Sequence, residues 1–367
     1  MAVIKHHKYV AALPAVLEAD SIYYVRAGVG FDIYVTNSSG TVVAYPVNPM
    51  EWSAETVGQD EAEAGTDTTR RAWTAERVRQ AIVAWWNSVT SAWGREFVAN
   101  NSAAAGRGAL SVREQLSADR TYYVRTDGNN SNNGLINSAG GAFATIQKAI
   151  DVAASLDLGI FNVIIQVADG TYAGGILLKS ALGAGQVRIQ GNDLFPENVV
   201  ITSAQDSING LSFGLYRLSG VTLRGTVRNI FVEGNSSYLE VGNIRFGAMG
   251  ASISSSHCQA SRGATIAAVG ALSFIANCAT LAWSNLKATV TVRNTQISFS
   301  SGLTVSQHGF RGTVQGLVDA INVSFVGSFT GPRYQVQGLS LLWTNGSGES
   351  FIPGSSAGVT ESGGVYA

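Results

Sequence analysis

From Asn162 to about Gly327 the chain alternates apolar and polar residues with a period of two, in short bursts set apart by Gly, Asn and Ser. Val163, Ile165 and Val167 make the first burst. Val187/Ile189, Val221/Leu223, Ile244/Phe246, Ile297/Phe299 and Ile321/Val323/Phe325 follow. This period belongs to strands with one buried face. Between Val290 and Val305 three bursts (Val290/Val292, Ile297/Phe299, Leu303/Val305) begin seven and then six positions apart. That spacing is too short for helical crossovers between parallel strands. The chain is expected to bend through a few residues and start a new strand on another face.

A longer period overlies the short one. The phrases beginning at Gly220, Gly242, Thr295 and Ile321 are alike, and their anchors fall at Val221, Ile244, Ile297 and Val323. The middle gap is close to two steps, and Leu272/Phe274 falls where the missing rung belongs. Repeats of roughly 20 to 30 residues with several strands each indicate a solenoid. Three strands per coil predict a mainly β protein with a right-handed parallel β-helix body. A β-sandwich is the alternative, but its strands recur about every 8–12 residues.

Around this body the sequence predicts three further segments. Residues 1–49 read as a small N-terminal β domain, with strands at 21–26, 31–35 and 41–45 and a turn at 37–40. Residues 50–120 read as an acidic linker, a helix and a small-residue connector. Thr74 is a helix N-cap with Glu76 in the first turn. Ala75, Val78, Ile82, Trp85, Val89 and Ala92 then alternate three and four residues apart, as in a coiled-coil seam. An amphipathic helix packed on its own domain fits equally. The body spans 121–330, where a helix from Thr145 to Asp157 is expected to plug the solenoid's open end. Residues 331–367 read as a small C-terminal β tail.

Composition narrows the function classes. The 367 residues carry a net charge of −1, which gives no pull toward nucleic acid or a membrane surface. No apolar run reaches the roughly 18 residues that a membrane span needs. Charged residues are only 13% of the chain, about half the usual share. A chain so poor in charge is expected to bury surface against copies of itself. Cys258 and Cys278 read as inward thiols stacked on adjacent rungs, with a disulfide as the alternative. Pro14 and Glu18 interrupt any export signal. Neither adjacent His6-His7 nor Asn129–Gly134, which lacks the Gly and Glu of a calcium loop, forms a metal site, and no cofactor motif occurs.

Two segments carry a resemblance. Glu61-Ala62-Glu63-Ala64-Gly65-Thr66-Asp67-Thr68-Thr69-Arg70-Arg71-Ala72-Trp73-Thr74, with Arg77-Val78-Arg79-Gln80-Ala81-Ile82, resembles a linker-and-helix phrase of bacteriophage tail fibres. Tyr122 to Asp151, with Asp127-Gly128-Asn129 and Gly140-Gly141-Ala142-Phe143-Ala144-Thr145-Ile146-Gln147, resembles the opening of phage tailspike β-helices of the pectate-lyase type. Residues 13–47 and the ending Phe351-Ile352-Pro353-Gly354 to Ala367 are similar to ends seen in such proteins. The resemblance implies a homotrimer, with which the seam read from the spacing of Val78, Ile82, Trp85 and Val89 agrees. It further implies attachment to a virion tail or baseplate protein through the N-terminal part, and contact of the body with host surface polysaccharide outside the cell.

Many tailspikes cut that polysaccharide, so the acids matter. Glycoside hydrolysis uses two carboxylates about 5 Å or about 6.5–9.5 Å apart. Between Val241 and Val318 there is no Asp or Glu, which leaves Glu233, Glu240 and Asp319 as the candidates for a depolymerase. Asp193 with Glu197 reads as a solvated surface pair. A lyase could draw on His257, His308 or the basic side chains of the same span. The acid-free stretch favours binding: Arg245, Arg262, Lys287, Arg293, His308 and Arg311 would present positive potential to acidic glycans, with Trp283 as a stacking face. A tail component with no host contact is the third reading.

Overall fold

The computed structural model describes residues 6–27, 30–38, 44–46, 57–64, 73–99, 102–249 and 255–367. The chain divides into two compact units, residues 1–109 and 110–367.

In the first unit, strands His6–Val10, Ser21–Ala27, Gly30–Thr36 and Ala44–Pro46 form a four-stranded sheet in chain order. The first pair is parallel and the others antiparallel. Two of the expected strands are present, and His6–Val10 adds one that alternation does not reveal. Positions 39–43, which hold part of the expected turn and third strand, lie outside the described residues. So does most of the predicted linker. Helices occupy Gln59–Ala64, Ala75–Val89, Ala92–Ala99 and Ala103–Leu110, so the linker and connector are partly helical. Thr74 Oγ1 accepts from the Arg77 amide at 3.2 Å, as a cap should. Ala75–Val89 ends short of the expected Ala92, because Thr90 turns extended and returns its N–H to Trp86 O.

The second unit is a parallel β-solenoid of about eight turns. Its first face starts at Arg120–Val124 and Val163–Val167 and continues through Val187–Gln190 to Val365–Tyr366. Along this face Val163, Val187, Tyr216, Leu239, Ile266, Val290, Val318, Leu342 and Tyr366 are stacked by pairing. The coils between these positions are unequal: the one from Val187 to Tyr216 is the longest and the next, from Tyr216 to Leu239, the shortest. The second face runs from Gly170–Ala173 to Ser324–Val326, and the third from Ile176–Leu178 to Val359–Thr360. The closely spaced bursts resolve as expected: Thr289–Thr291, Gln296–Phe299 and Val305–Thr313 lie on the first, second and third faces in turn.

Inward residues of all three faces share one core. On the second face Phe246, Phe274, Phe299 and Phe325 stack at centroid spacings of 4.7, 5.9 and 6.1 Å. Offset aromatic stacking adds to the area they bury. Cys258 and Cys278 are buried free thiols. They do not share one column, since Cys258 pairs with Ala282 and Cys278 with Val305.

Corners need backbone that L-residues seldom adopt. Gly220 (φ +66°) turns the first face into the second, and a Cβ there would lie 2.6 Å from the Asn192–Asp193 backbone. At later corners Asn243, Asn294 and Asn322 take the left-handed conformation, which Asn tolerates. Asn322 Nδ2 also donates to Asn294 Oδ1 at 3.2 Å. The return corner repeats two consecutive left-handed residues, at Leu286–Lys287 and Val314–Gln315 among others.

Helix Ile146–Ala154 packs on the first coil with Ile146, Ala149, Ile150 and Ala153 buried, capped by Thr145. Its Gln147 both donates to Leu177 O (3.1 Å) and accepts from Leu177 N (2.8 Å), which satisfies the otherwise bare edge of Ile176–Leu178. At the far end no separate tail forms. Tyr334–Val336 and Leu341–Trp343 pair in parallel with the preceding coil, and Val359–Thr360 and Val365–Tyr366 with the next. Residues 331–367 are therefore further solenoid, whose Gly- and Ser-rich turns disguise short strands.

Candidate functional site

The third face brings three of the sequence candidates together. Strand pairing aligns Phe231, Gln259, Trp283, Arg311 and Gln335 in one outward column. The Arg311 guanidinium sits 4.4 Å from the Trp283 ring centroid, a cation–π contact that holds both side chains flat on the sheet. Trp283 Nε1 donates to Thr313 Oγ1 at 2.9 Å, and Thr313 donates to Asn285 Oδ1 at 3.0 Å. The indole is thereby fixed from its polar edge as well. Further along the same face Arg228 lies 3.6 Å over Phe231 and forks onto Asp206 at 2.9 and 2.8 Å.

Polar capacity is left over here. His308 Nδ1, Arg311 Nε and Gln335 Oε1 are buried and make no hydrogen bond among the described residues; the fourth such atom is Ser207 Oγ. Buried polar atoms are nearly always paired, so three orphans on two adjacent strands of one face mark the place. Arg311 has no carboxylate within ion-pair distance among the described residues, unlike Arg228, Arg245, Arg262 and Arg293. Burial pulls its guanidinium below the usual range. Burial, helped by the neighbouring Arg311 charge, likewise lowers His308, so its imidazole is neutral near pH 7. The patch thus offers a desolvated cation, a ring nitrogen, a carboxamide oxygen and an indole. Gln335 Nε2 also donates to Glu361 at 2.8 Å, which brings one carboxylate to the edge of the patch.

The other candidates lie apart from it. Arg245 is on the second face, paired with Glu197 at 2.9 Å. Arg262 pairs with Glu233 at 3.0 Å on the third-face margin. Lys287 is exposed at a corner. Arg293 is on the first-face side, bonded to Asp319 at 2.9 Å and 5.4 Å from the Trp343 centroid. Glu240 is also on the first face and accepts from Gln186 Nε2 at 3.0 Å. Pairing runs Glu240–Ala267–Thr291–Asp319, three rungs, or roughly 14 Å at ~4.8 Å per rung. Within one chain these acids are therefore too far apart to flank a glycosidic bond. His257, weighed as a base, is wholly internal.

Sequence reading misses a groove at the corner of the first and second faces. One cavity of about 210 Å³ lies between Arg188, Arg217, Gln190 and Asp193, and another of about 370 Å³ reaches Asp169 and Asn137; Asp193 lines both. Arg188 and Arg217 belong to successive rungs, with a whole coil between them in the chain, a separation no local pattern reveals. No protein-family model, curated protein or solved structure matches the chain.

Proposed function

We propose that this protein is a bacteriophage tail fibre or tailspike, a virion component that grips host surface polysaccharide. The observation that carries the reading is the third-face patch, where Arg311 lies stacked on Trp283 beside three unpaired buried polar atoms. Indole edges and forked guanidinium groups suit sugar rings and their acid substituents. Residues 1–109 would attach to a tail or baseplate protein. The helix Ala75–Val89 buries none of its residues, and Val78, Ile82, Trp85 and Val89 are all exposed. That row supports a homotrimer in which other copies of the chain cover it.

The test combines assembly and adhesion. Light scattering on the whole chain should give three times the 38.4 kDa chain mass. On an array of bacterial surface polysaccharides, retention should weaken with added salt and fall in Trp283→Ala. A monomer would overturn the assembly, and a Trp283→Ala variant that binds like the parent would overturn the site. Release of oligosaccharides during incubation would move the protein to the depolymerase class.

A further inference from the structure

Arg188 and Arg217 face each other directly on adjacent parallel strands of the first face. Backbones at this separation are about 4.8 Å apart, and like charges placed so are destabilising unless something compensates them. Compensation within the chain is incomplete. Arg188 Nε donates to Gln186 Oε1 at 2.8 Å, and Gln186 in turn donates to Glu240 at 3.0 Å. Asp119 feels the Arg188 charge, but it bonds the Asn162 amide and side chain and makes no hydrogen bond to Arg188. Arg217 has Glu240 opposite it on the next rung, but Glu240 accepts from Gln186 and Arg217 itself makes no hydrogen bond or ion pair among the described residues. Both arginines line the cavity of about 210 Å³.

The rest of that cavity decides what kind of ligand it suits. Asp193, Gln190 and Ser219 share its wall. Asp193 accepts from Asn243 Nδ2 at 3.3 Å and from Gln190 Nε2 at 3.5 Å, contacts that leave carboxylate lone pairs over. A simple inorganic anion would meet the two cations but offer Asp193 no donor and be repelled by it. A neutral sugar would satisfy Asp193 and leave the Arg217 guanidinium without an acceptor that matches its fork. A molecule with a carboxylate at one end and hydroxyl donors at the other meets both demands. No aromatic side chain lines this cavity, which disfavours nucleic-acid bases.

The geometry points to a sugar-acid site: the carboxylate of a hexuronate bridges Arg188 and Arg217, and its ring hydroxyls donate to Asp193. The neighbouring cavity of about 370 Å³, which also ends at Asp193, would take the next residue of an acidic chain. The inference deepens the adhesin reading by naming an acidic glycan. It uses a different face from Trp283, so the two stand or fall separately.

Calorimetry on the full chain tests it, with sodium glucuronate, glucose and sodium sulfate as probes. Glucuronate should bind, and the other two should not compete with it. Arg217→Gln should weaken glucuronate about tenfold or more, the scale of a lost charge-assisted contact. Asp193→Asn should weaken glucuronate while letting sulfate in, and Trp283→Ala should change neither. Arg217→Lys keeps the charge without the fork and should fall between, with thermal unfolding confirming that each variant is folded. Absence of glucuronate binding, equal competition by sulfate, or an indifferent Arg217→Gln would each overturn the site. Array adhesion that persists through such a failure leaves the third-face reading intact.

Discussion

Asn229 donates its side-chain amide to His257 Nδ1 at 2.8 Å inside the solenoid, while His257 Nε2–H donates to the Ala276 carbonyl at 3.0 Å. Both partners fix the neutral tautomer with its proton on Nε2. The ring lies against Phe246 and Phe274, at 5.4 and 5.3 Å. Burial holds its pKa down at about 4, opposed only by the Ala276 bond. Because the folded value lies below the unfolded one of about 6.5, the neutral ring's contribution is complete above that pH. It is lost as the pH falls, since the unfolded chain binds a proton that the fold refuses. Stability should therefore decline by up to roughly 3 kcal/mol between about pH 6.5 and pH 4. Denaturant melts of His257→Gln across that range check this, and a slope equal to the parent's would refute it.

The aromatic stack makes a packing prediction. Phe274 is 1% exposed, between Phe246 and Phe299. Phe274→Ala should cost about 3–5 kcal/mol, seen as a lower unfolding midpoint. Phe325, less buried, should cost clearly less on the same change. Equal losses would show that the stack does not transmit packing as described.

Strain at the corners is open to relief. Val314 is 49% exposed, with φ at +51°. A β-branched residue in this region costs about 1–2 kcal/mol. Val314→Asn should raise the melting temperature by about 2–4 °C, whereas Val318→Asn, in the core one strand later, should lower it sharply.

The Arg228–Asp206 fork contributes through its burial. Asp206 is 7% exposed and also accepts from Asn209 at 3.0 Å. Asp206→Ala would strand a partly buried guanidinium and should cost about 3 kcal/mol. Removing Glu197 from the exposed Arg245–Glu197 pair should cost clearly less, because solvent screens it. Urea midpoints that rank the two in the opposite order would contradict this account.

How much of this is legible in the sequence depends on which contacts are local. Alternation locates Val163–Val167, Val187–Gln190 and the second-face rungs Val221, Ile244, Leu272 and Ile297, all of which do pair as anticipated. The next rung slips: Ile297 pairs with Phe325, not Val323. A shift of two positions keeps the same face inward, so the apolar pattern cannot detect it. The paired left-handed corners are hidden because Leu286, Lys287, Val314 and Gln315 carry none of the Gly or Asn that would announce them. The solenoid at 331–367 is hidden by its very short strands. Trp283, His308 and Arg311 stand out through the lack of nearby acids. Arg188, Arg217 and Asp193 do not, because the long coil from Val187 to Tyr216 separates the two arginines in the chain.

The uneven coils have a consequence for how such a molecule changes size. Every rung leans on the one before and the one after. The backbone re-enters the first face one rung up after the long circuit from Val187 to Tyr216, and equally after the short one from Tyr216 to Leu239. The difference is taken up between the strands, as where the short turn Pro196–Asn198 lies in the longest circuit. Genetic gain or loss of one complete circuit, such as positions 266–289, would lengthen or shorten the shaft by a single increment of ~4.8 Å and leave both ends unaltered. Reach and surface ornament can thus be adjusted independently, one by counting circuits and the other by decorating the segments between their strands.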